Sequence, residues 1–154
     1  MVWRTCTSLK ELNLNNWDTS NWNISEFRET WLNCWALQKL NINEWDTSKW
    51  HITSLSGIWG YCYSLKVLDI GDWDTSNWSN TYNNSGSFSY LYSLQICRLP
   101  ASIPTNKNLG VPSSCPNLTY YSGYDIAYNH TMNFANLTSD SLRMMFNRLP
   151  TVTS

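Results

Sequence analysis

Residues 64–78 read Ser-Leu-Lys-Val-Leu-Asp-Ile-Gly-Asp-Trp-Asp-Thr-Ser-Asn-Trp, and this stretch decides the fold because its pattern recurs along the chain. The tetrad Trp-Asp-Thr-Ser begins at Trp17, Trp45 and Trp73, a step of 28 residues each time. Four other sets of residues keep the same step: Cys6, Cys34 and Cys62; Trp3, Trp31 and Trp59; Trp22, Trp50 and Trp78; and Leu12, Leu40 and Leu68. A fixed period of this length is the signature of a repeat architecture.

The repeat loses its regularity in the fourth unit. Phe88 takes the place of Trp59 after 29 residues, so the third unit has gained one residue. Leu91 then stands where a cysteine is expected and Cys97 where a leucine is expected, and the pattern ends after Pro100. We therefore predict a repeat array over residues 1–100, with about 3.5 units of 28–29 residues, and an irregular C-terminal unit over residues 101–154.

Each unit is predicted to contain one strand and one short helix. The segment from Leu12 to Leu14 alternates apolar and polar residues with the period of a strand. Downstream, Phe27 and Trp31 are four residues apart and follow Ser25, a residue type that caps helices, so a short helix is expected there. The expected fold class is α/β: a right-handed leucine-rich-repeat solenoid with one short parallel strand and a short helix or helical turn in each 28-residue unit.

The C-terminal unit carries two further elements in its pattern. Residues 116–121 allow one more edge strand, and residues 139–149 predict a helix that Thr138 or Ser139 caps and Pro150 ends. Its apolar residues recur at helical spacing, and we expect this face to pack on the end of the array: Leu142, Met145, Phe146 and Leu149.

The stretch at residues 64–78 resembles the BspA-like leucine-rich repeats of bacterial surface proteins. Those repeats typically read Cys-x-Ser-Leu-x-x-Leu-Asp-Leu-Ser-x-Phe-Asp-Thr-Ser-Asn-Val, and this chain has tryptophan at the Phe and Val places, so it resembles a Trp-rich variant. The resemblance covers roughly residues 1–100. It implies a solenoid in a surface or adhesive role without catalytic residues, of the kind expected in gut bacteria or their phages.

Charge and hydropathy narrow the possible partners. The formal net charge is −1 and the sequence has no basic cluster, which argues against nucleic acid and against an anionic membrane surface. No apolar run approaches the roughly 20 residues of a membrane helix, so no insertion is expected in this segment. The sequence begins within a unit, without a cap or signal peptide. We therefore expect flanking repeats of the same polypeptide and an extracellular or cell-surface location, with a phage virion as the alternative.

The aspartates of the repeated tetrad would form a column. Asp18, Asp46 and Asp74 are predicted to fix a turn by accepting hydrogen bonds from nearby backbone N–H groups. A bound cation such as calcium is the alternative, since it too would relieve the repulsion between stacked carboxylates. The turn is the preferred interpretation, so neither a metal site nor a cofactor is predicted.

The cysteines and histidines give no catalytic or metal pattern. Cys6, Cys34 and Cys62 would stack near 5 Å apart, which suits buried thiols and also permits a disulfide between adjacent units. The odd count of five cysteines argues against a complete disulfide framework. His51 lies beside Trp50 without a cysteine or second histidine nearby in sequence. We therefore predict that the protein is not an enzyme.

Two surfaces are candidates for recognition. Residues between the core leucines point outward from the sheet, which in solenoids is the concave face, and they are Glu11, Asn13, Asn15, Lys39, Asn41, Asn43, Val67, Asp69 and Gly71. These residues could equally form a solvated polar face. A possible second face carries Trp35, Tyr61, Tyr63 and Tyr92, whose residue types are favoured at interfaces. The tryptophans that are locked to the period are instead predicted to fill the core.

The sequence therefore predicts a binding or adhesion module of a surface-exposed bacterial or phage protein. Its partner would be an unidentified protein or glycan on a host or neighbouring cell. The alternative is a structural spacer with no ligand of its own. A binding face should show a contiguous exposed aromatic patch, whereas a spacer should be uniformly polar.

Overall fold

The computed structural model describes residues 3–79, 85–101, 115–123 and 137–146. These residues contain five strands of three residues each and one helix of eight residues. In chain order the elements are β1 (Glu11–Asn13), β2 (Lys39–Asn41), β3 (Val67–Asp69), β4 (Ile96–Arg98), β5 (Tyr120–Ser122) and α1 (Ser139–Phe146).

The five strands form one parallel sheet in the order β1-β2-β3-β4-β5. Each strand pairs with the strand of the next unit, and the register follows the sequence repeat: Leu12 lies beside Leu40, and Leu68 lies beside Cys97. Cys97 therefore takes the leucine place in the fourth unit, as the sequence indicated. Tyr121 continues the row next to Cys97, which confirms the additional strand expected near residues 116–121.

The units are also joined on the side away from the sheet. A parallel bridge links Glu26 to Ser54, and the His51 amide donates a hydrogen bond to the Ile24 carbonyl at 2.9 Å. Successive units are thus tied by backbone hydrogen bonds along two lines. The apolar side chains between these lines are withdrawn from water.

The short helix expected after Ser25 is not formed. The amides of Phe27, Glu29 and Trp31 donate to carbonyls of the following unit at 2.9 to 3.0 Å instead of to their own turn. Glu29 also has a φ of 50°, a left-handed conformation that interrupts a right-handed helix. Residues 29–37 instead contain tight turns closed across three residues, such as the Cys34 amide bonded to the Trp31 carbonyl at 3.1 Å. The helix prediction was wrong here because the backbone hydrogen bonds run between units.

Columns of aromatic rings fill the core. Trp31, Trp50 and Trp59 are fully buried, which confirms that tryptophans locked to the period mostly pack inside. Three pairs in adjacent units have nearly parallel rings with centroids 5.8 to 6.4 Å apart: Trp3 with Trp31, Trp22 with Trp50, and Trp45 with Trp73. Trp17, in the first unit, is the exception and is 46% exposed. Identical residues at one period therefore build continuous packing from unit to unit.

Helix α1 packs against β5 through a serine rather than through its predicted apolar face. The hydroxyl of Ser141 accepts a hydrogen bond from the Tyr121 amide at 3.0 Å, and Ser141 is fully buried. Leu142 is 39% exposed, so its expected place on the packed face was wrong. Thr138 caps the helix, since its hydroxyl accepts the Ser141 amide at 3.3 Å. The predicted residues 147–150 lie outside the described residues.

Candidate functional site

Five aromatic side chains at one edge of the sheet form what we call the aromatic surface: Trp35, Tyr61, Tyr63, Tyr90 and Tyr92. Four of them are 37 to 48% exposed, and Tyr63 is half-buried. Each unit supplies one of these rings from the turn that precedes its strand. In the second unit this turn is closed by the Leu37 amide bonded to the Cys34 carbonyl at 3.0 Å, and Trp35 lies within it.

The rings of the aromatic surface form two adjoining columns. In the first column, Tyr63 stacks between Trp35 and Tyr92, with centroids 6.3 and 5.8 Å away. In the second column, Tyr61 stacks on Tyr90 with centroids 4.5 Å apart. Edge contacts join the columns, Tyr61 to Tyr63 at 6.1 Å and Tyr90 to Tyr92 at 5.9 Å. The five rings are therefore one contiguous patch across three units.

The backbone of the second column is in a costly conformation. Tyr61 and Tyr90 have φ values of 61° and 63°, and the equivalent residues of earlier units, Thr5 and Asn33, share this left-handed region. Asparagine tolerates such a φ, whereas a bulky residue is strained by roughly 1 to 2 kcal/mol. Strained residues cluster at binding and catalytic sites. The two tyrosines are thus held in position by the turn and the neighbouring unit, despite this cost.

The tyrosine hydroxyls remain neutral over the ordinary pH range. The neighbouring Tyr90 raises the pKa of Tyr61 above its usual value, and desolvation adds to the increase. Tyr90 itself was missing from the residues selected by sequence. Its signal was present, since it lies 29 residues after Tyr61, but the extra residue of the third unit obscured the equivalence.

The second candidate surface, here called the sheet face, contains the polar residues predicted on the strands. Glu11, Asn13 and Lys39 are exposed, and four others are half-buried: Asn15, Asn41, Asn43 and Asp69. Some of these residues bond to one another. The Asn15 amide group donates to the Asn43 side-chain oxygen at 3.1 Å, and the Asn13 oxygen accepts the Asn15 backbone N–H at 3.2 Å. These groups would have to exchange partners to contact a ligand.

One end of the sheet face is occupied by an ion pair. Arg98 donates to Asp69 across 2.9 Å and lies over the Tyr120 ring, 5.3 Å from its centroid. The hydrogen bond to Asp69 raises the pKa of Arg98. Sequence reasoning missed Arg98 and Tyr120 because the irregular fourth and fifth units hid their register. Asp69 is therefore engaged within the protein.

The other end of the sheet face holds an open depression of about 300 Å³, lined by Glu11, Gln38, Lys39, Asn41, Lys66 and Val67 together with Leu40. Gln38 and Lys66 were not predicted, because they precede the strands. Gln38 follows Trp35 by three residues, and Lys66 follows Tyr63 by three. Three residues span at most about 10 Å, so the depression adjoins the aromatic surface.

The aspartate column fixes the corners of the units. One Asp18 oxygen accepts both the Ser20 amide, at 3.1 Å, and the Ser20 hydroxyl, at 2.6 Å. Asp46 makes the same pair of bonds to Ser48, at 3.0 and 2.6 Å. The serine hydroxyl bond is the main reason that the pKa values of Asp18 and Asp46 are lowered. This geometry agrees with the structural turn, and among the described residues no three potential ligand side chains gather as a metal site would require.

The cysteine column is part of the core. All five cysteines are free thiols, and Cys62 donates to the Trp31 carbonyl with Sγ 3.1 Å from the oxygen. Cys34 bonds the Trp3 carbonyl in the same way at 2.9 Å. Burial raises the pKa of the Cys62 thiol to about 12. The thiol is therefore protonated and unreactive at neutral pH.

No protein-family model matches this chain, and no curated protein or solved structure is significantly similar to it. Within the part of the chain that the structure describes, no helix is long and apolar enough to span a bilayer. The case for a function therefore depends on the geometry of the two surfaces.

Proposed function

We propose that this chain is a non-enzymatic binding module that recognises its partner through the aromatic surface. The observation that carries this proposal is the contiguous patch of five rings, four of which are more than a third exposed. Tyrosine and tryptophan supply large contact areas and dominate binding energies at interfaces. A spacer has no need of such a patch, and the strained tyrosine backbone at two of the five positions further supports a role beyond spacing.

We further propose that the units form a right-handed leucine-rich-repeat solenoid of the BspA-like type. Support comes from the in-order parallel sheet and from a register that follows the repeat step. Parallel strands joined by long connections are right-handed in nearly all proteins. Turns replace the short helix of each unit in this version of the solenoid.

The biological setting proposed for this module is a surface-exposed bacterial or phage protein with flanking repeats. Trp45 and Trp73 each donate their indole N–H to a carbonyl of the preceding unit, Leu14 and Ile42, at 2.8 and 3.0 Å. The equivalent Trp17 is 46% exposed, whereas its two counterparts are 3% exposed. A preceding unit that offers a carbonyl at the same place would cover it. An extracellular or cell-surface location, or a virion, fits a partner on a host or neighbouring cell.

The spacer remains the second proposal because ring stacking between units also strengthens the stack itself. If packing alone explains the aromatic surface, its rings can be replaced without loss of any interaction with other molecules. Residues from equivalent positions of earlier units offer well-tolerated replacements. Thr7 is equivalent to Trp35 and Tyr92, and Asn33 is equivalent to Tyr61 and Tyr90.

The test compares two variants on a glycan array and on a panel of extracellular-matrix proteins. The aromatic-surface variant carries Trp35→Thr, Tyr61→Asn, Tyr90→Asn and Tyr92→Thr; the sheet-face variant carries Asn13→Ala, Asn41→Ala and Asp69→Ala. We expect saturable binding by the unmodified chain, little change in the sheet-face variant, and about a hundredfold weaker binding in the aromatic-surface variant. Loss confined to the sheet-face variant would move the site to that surface. No binding by the unmodified chain would favour the spacer.

A further inference from the structure

The way the rings stack limits what the aromatic surface recognises. A sugar ring packs on the open face of an aromatic side chain, but here the faces within each column cover one another at interplanar angles of 6 to 28°. The columns consequently present ring edges and phenol hydroxyls toward solvent. Ring edges carry partial positive charge, and hydroxyls donate hydrogen bonds. Such a surface favours an electron-rich partner over the apolar face of a neutral sugar.

Two lysines in the adjoining depression have the same preference. Lys39 and Lys66 line the depression, and neither forms an ion pair with any residue that the structure describes. Glu11 is the single carboxylate in the lining, so cations exceed anions there. Gln38 and Asn41 add side-chain amides that donate hydrogen bonds. The depression therefore offers positive charge and polar donors beside the ring edges.

The shape of the combined site suits a chain segment. The depression is lined by residues of three consecutive units, and the aromatic surface also extends over three units. Their common border is the run of three residues that separates Trp35 from Gln38 and Tyr63 from Lys66. The result is an open strip across the stack, which fits an elongated ligand better than a small enclosed molecule.

From this charge complementarity we infer that the partner presents an acidic, extended protein segment, whose carboxylates lie over Lys39 and Lys66 while its apolar side chains contact the aromatic surface. This inference rests on the proposed binding function and names the partner class of the same site. Electrostatic complementarity selects partners and accelerates their encounter, while the aromatic contacts supply most of the affinity.

The experiment selects peptides from a phage-displayed library of random sequences on the immobilised chain, with the bare support as the background. A peptide from the enriched pool is then synthesised with a fluorescein label, beside a twin in which glutamine and asparagine replace its glutamates and aspartates. We expect the enriched pool to have an excess of acidic residues. In fluorescence polarisation, Lys39→Gln with Lys66→Gln should weaken the acidic peptide by about fivefold and leave the neutral twin unchanged. Higher salt should weaken the acidic peptide alone.

Control variants separate this inference from the proposed function. Lys10→Gln with Lys49→Gln removes the same charge at exposed positions that do not line the depression and should leave peptide binding unchanged. Enriched peptides without an acidic excess that still need the aromatic surface would overturn the inference and leave the binding function standing. No enrichment, or binding only to acidic or neutral polysaccharides tested in parallel, would also overturn it.

Discussion

At the residue scale, the aspartate corner determines how the protein responds to acid. The folded-state pKa values of Asp18 and Asp46 are lowered from the ordinary 3.8, chiefly by hydrogen bonds from Ser20 and Ser48. A group with a lowered folded-state pKa stabilises the fold above its unfolded pKa, and this contribution disappears as the pH falls through the folded value. We predict that the urea midpoint decreases between about pH 5 and pH 2. Asp18→Asn with Asp46→Asn should flatten this part of the profile, and an unchanged profile would contradict the role given to the corner.

Also at the residue scale, the buried thiol of Cys62 should resist alkylation. Its pKa is raised to about 12 by burial, and the reactive species of cysteine is the thiolate. We predict that iodoacetamide modifies the half-exposed Cys6 in the native protein but modifies Cys62 only after urea is added. Mass spectrometry of peptides from the two samples measures this. Equal modification of both cysteines without urea would show that the core column opens readily.

The same thiol affects stability in alkali. Because its folded-state pKa is above the model value of 9.0, the stabilising contribution is complete below pH 9.0 and is lost as the pH rises toward about 12. Cys62→Ala removes this titration. Replacing the thiol should therefore reduce the loss of stability above pH 9.0, as urea unfolding at a series of pH values would show.

At the element scale, the corner tryptophans differ between the first unit and the later ones. Trp45 is buried and donates its indole N–H to the Leu14 carbonyl at 2.8 Å, whereas the equivalent Trp17 is 46% exposed. We predict that Trp45→Phe costs about 2 kcal/mol of unfolding free energy, because it removes buried contact area and leaves a buried carbonyl without its donor. Trp17→Phe is the matched control and should cost under about 0.5 kcal/mol. Equal costs measured by urea unfolding would contradict this difference between units.

The junction between β5 and α1 depends on one hydroxyl. Ser141 is fully buried, and its oxygen accepts the Tyr121 amide at 3.0 Å. Ser141→Ala leaves that amide without this acceptor, so we predict a loss of about 1 to 3 kcal/mol in unfolding free energy. Ser139→Ala on the exposed side of the same helix is the control and should be nearly neutral. A neutral Ser141→Ala would show that another group replaces the acceptor.

How far sequence predicts such elements depends on where the backbone hydrogen bonds go. The strands were predictable because Leu12, Leu40 and Leu68 repeat with the pattern of a half-buried strand, and parallel pairing follows from stacking equal units. The helix after Ser25 was not, because a spacing of four residues between Phe27 and Trp31 arises equally from an irregular segment whose amides bond the next unit. That bonding is nonlocal and leaves no local signal.

The candidate site shows the same limit. Trp35 and Tyr63 were identified from their variable position in the repeat, and the structure places them at the centre of the aromatic surface. Tyr90 and Arg98 escaped because one inserted residue displaced the fourth unit from the 28-residue step. The covering of ring faces by neighbouring rings, which argues against a sugar platform, depends on side-chain orientation and has no sequence signal.

At the scale of the whole molecule, stability should vary along the stack because each unit contacts only its neighbours. The strand β1 has a partner on one side only, β2, whereas β3 lies between β2 and β4. We predict that amides around β1 exchange with deuterium faster than amides around β3, as mass spectrometry of exchanged peptides would show. Uniform exchange across the described strands would mean that the stack opens only as one cooperative unit.

The most direct measurement of the central claim is the affinity of the aromatic-surface variant for the tightest partner that the unmodified chain binds in the panel of glycans and matrix proteins. Circular dichroism and the urea midpoint should first establish that Trp35→Thr, Tyr61→Asn, Tyr90→Asn and Tyr92→Thr leave the fold intact. The account predicts that this folded variant binds about a hundredfold more weakly, whereas the sheet-face variant binds nearly as the unmodified chain does. A folded aromatic-surface variant with undiminished affinity would contradict the claim that these rings form the recognition site.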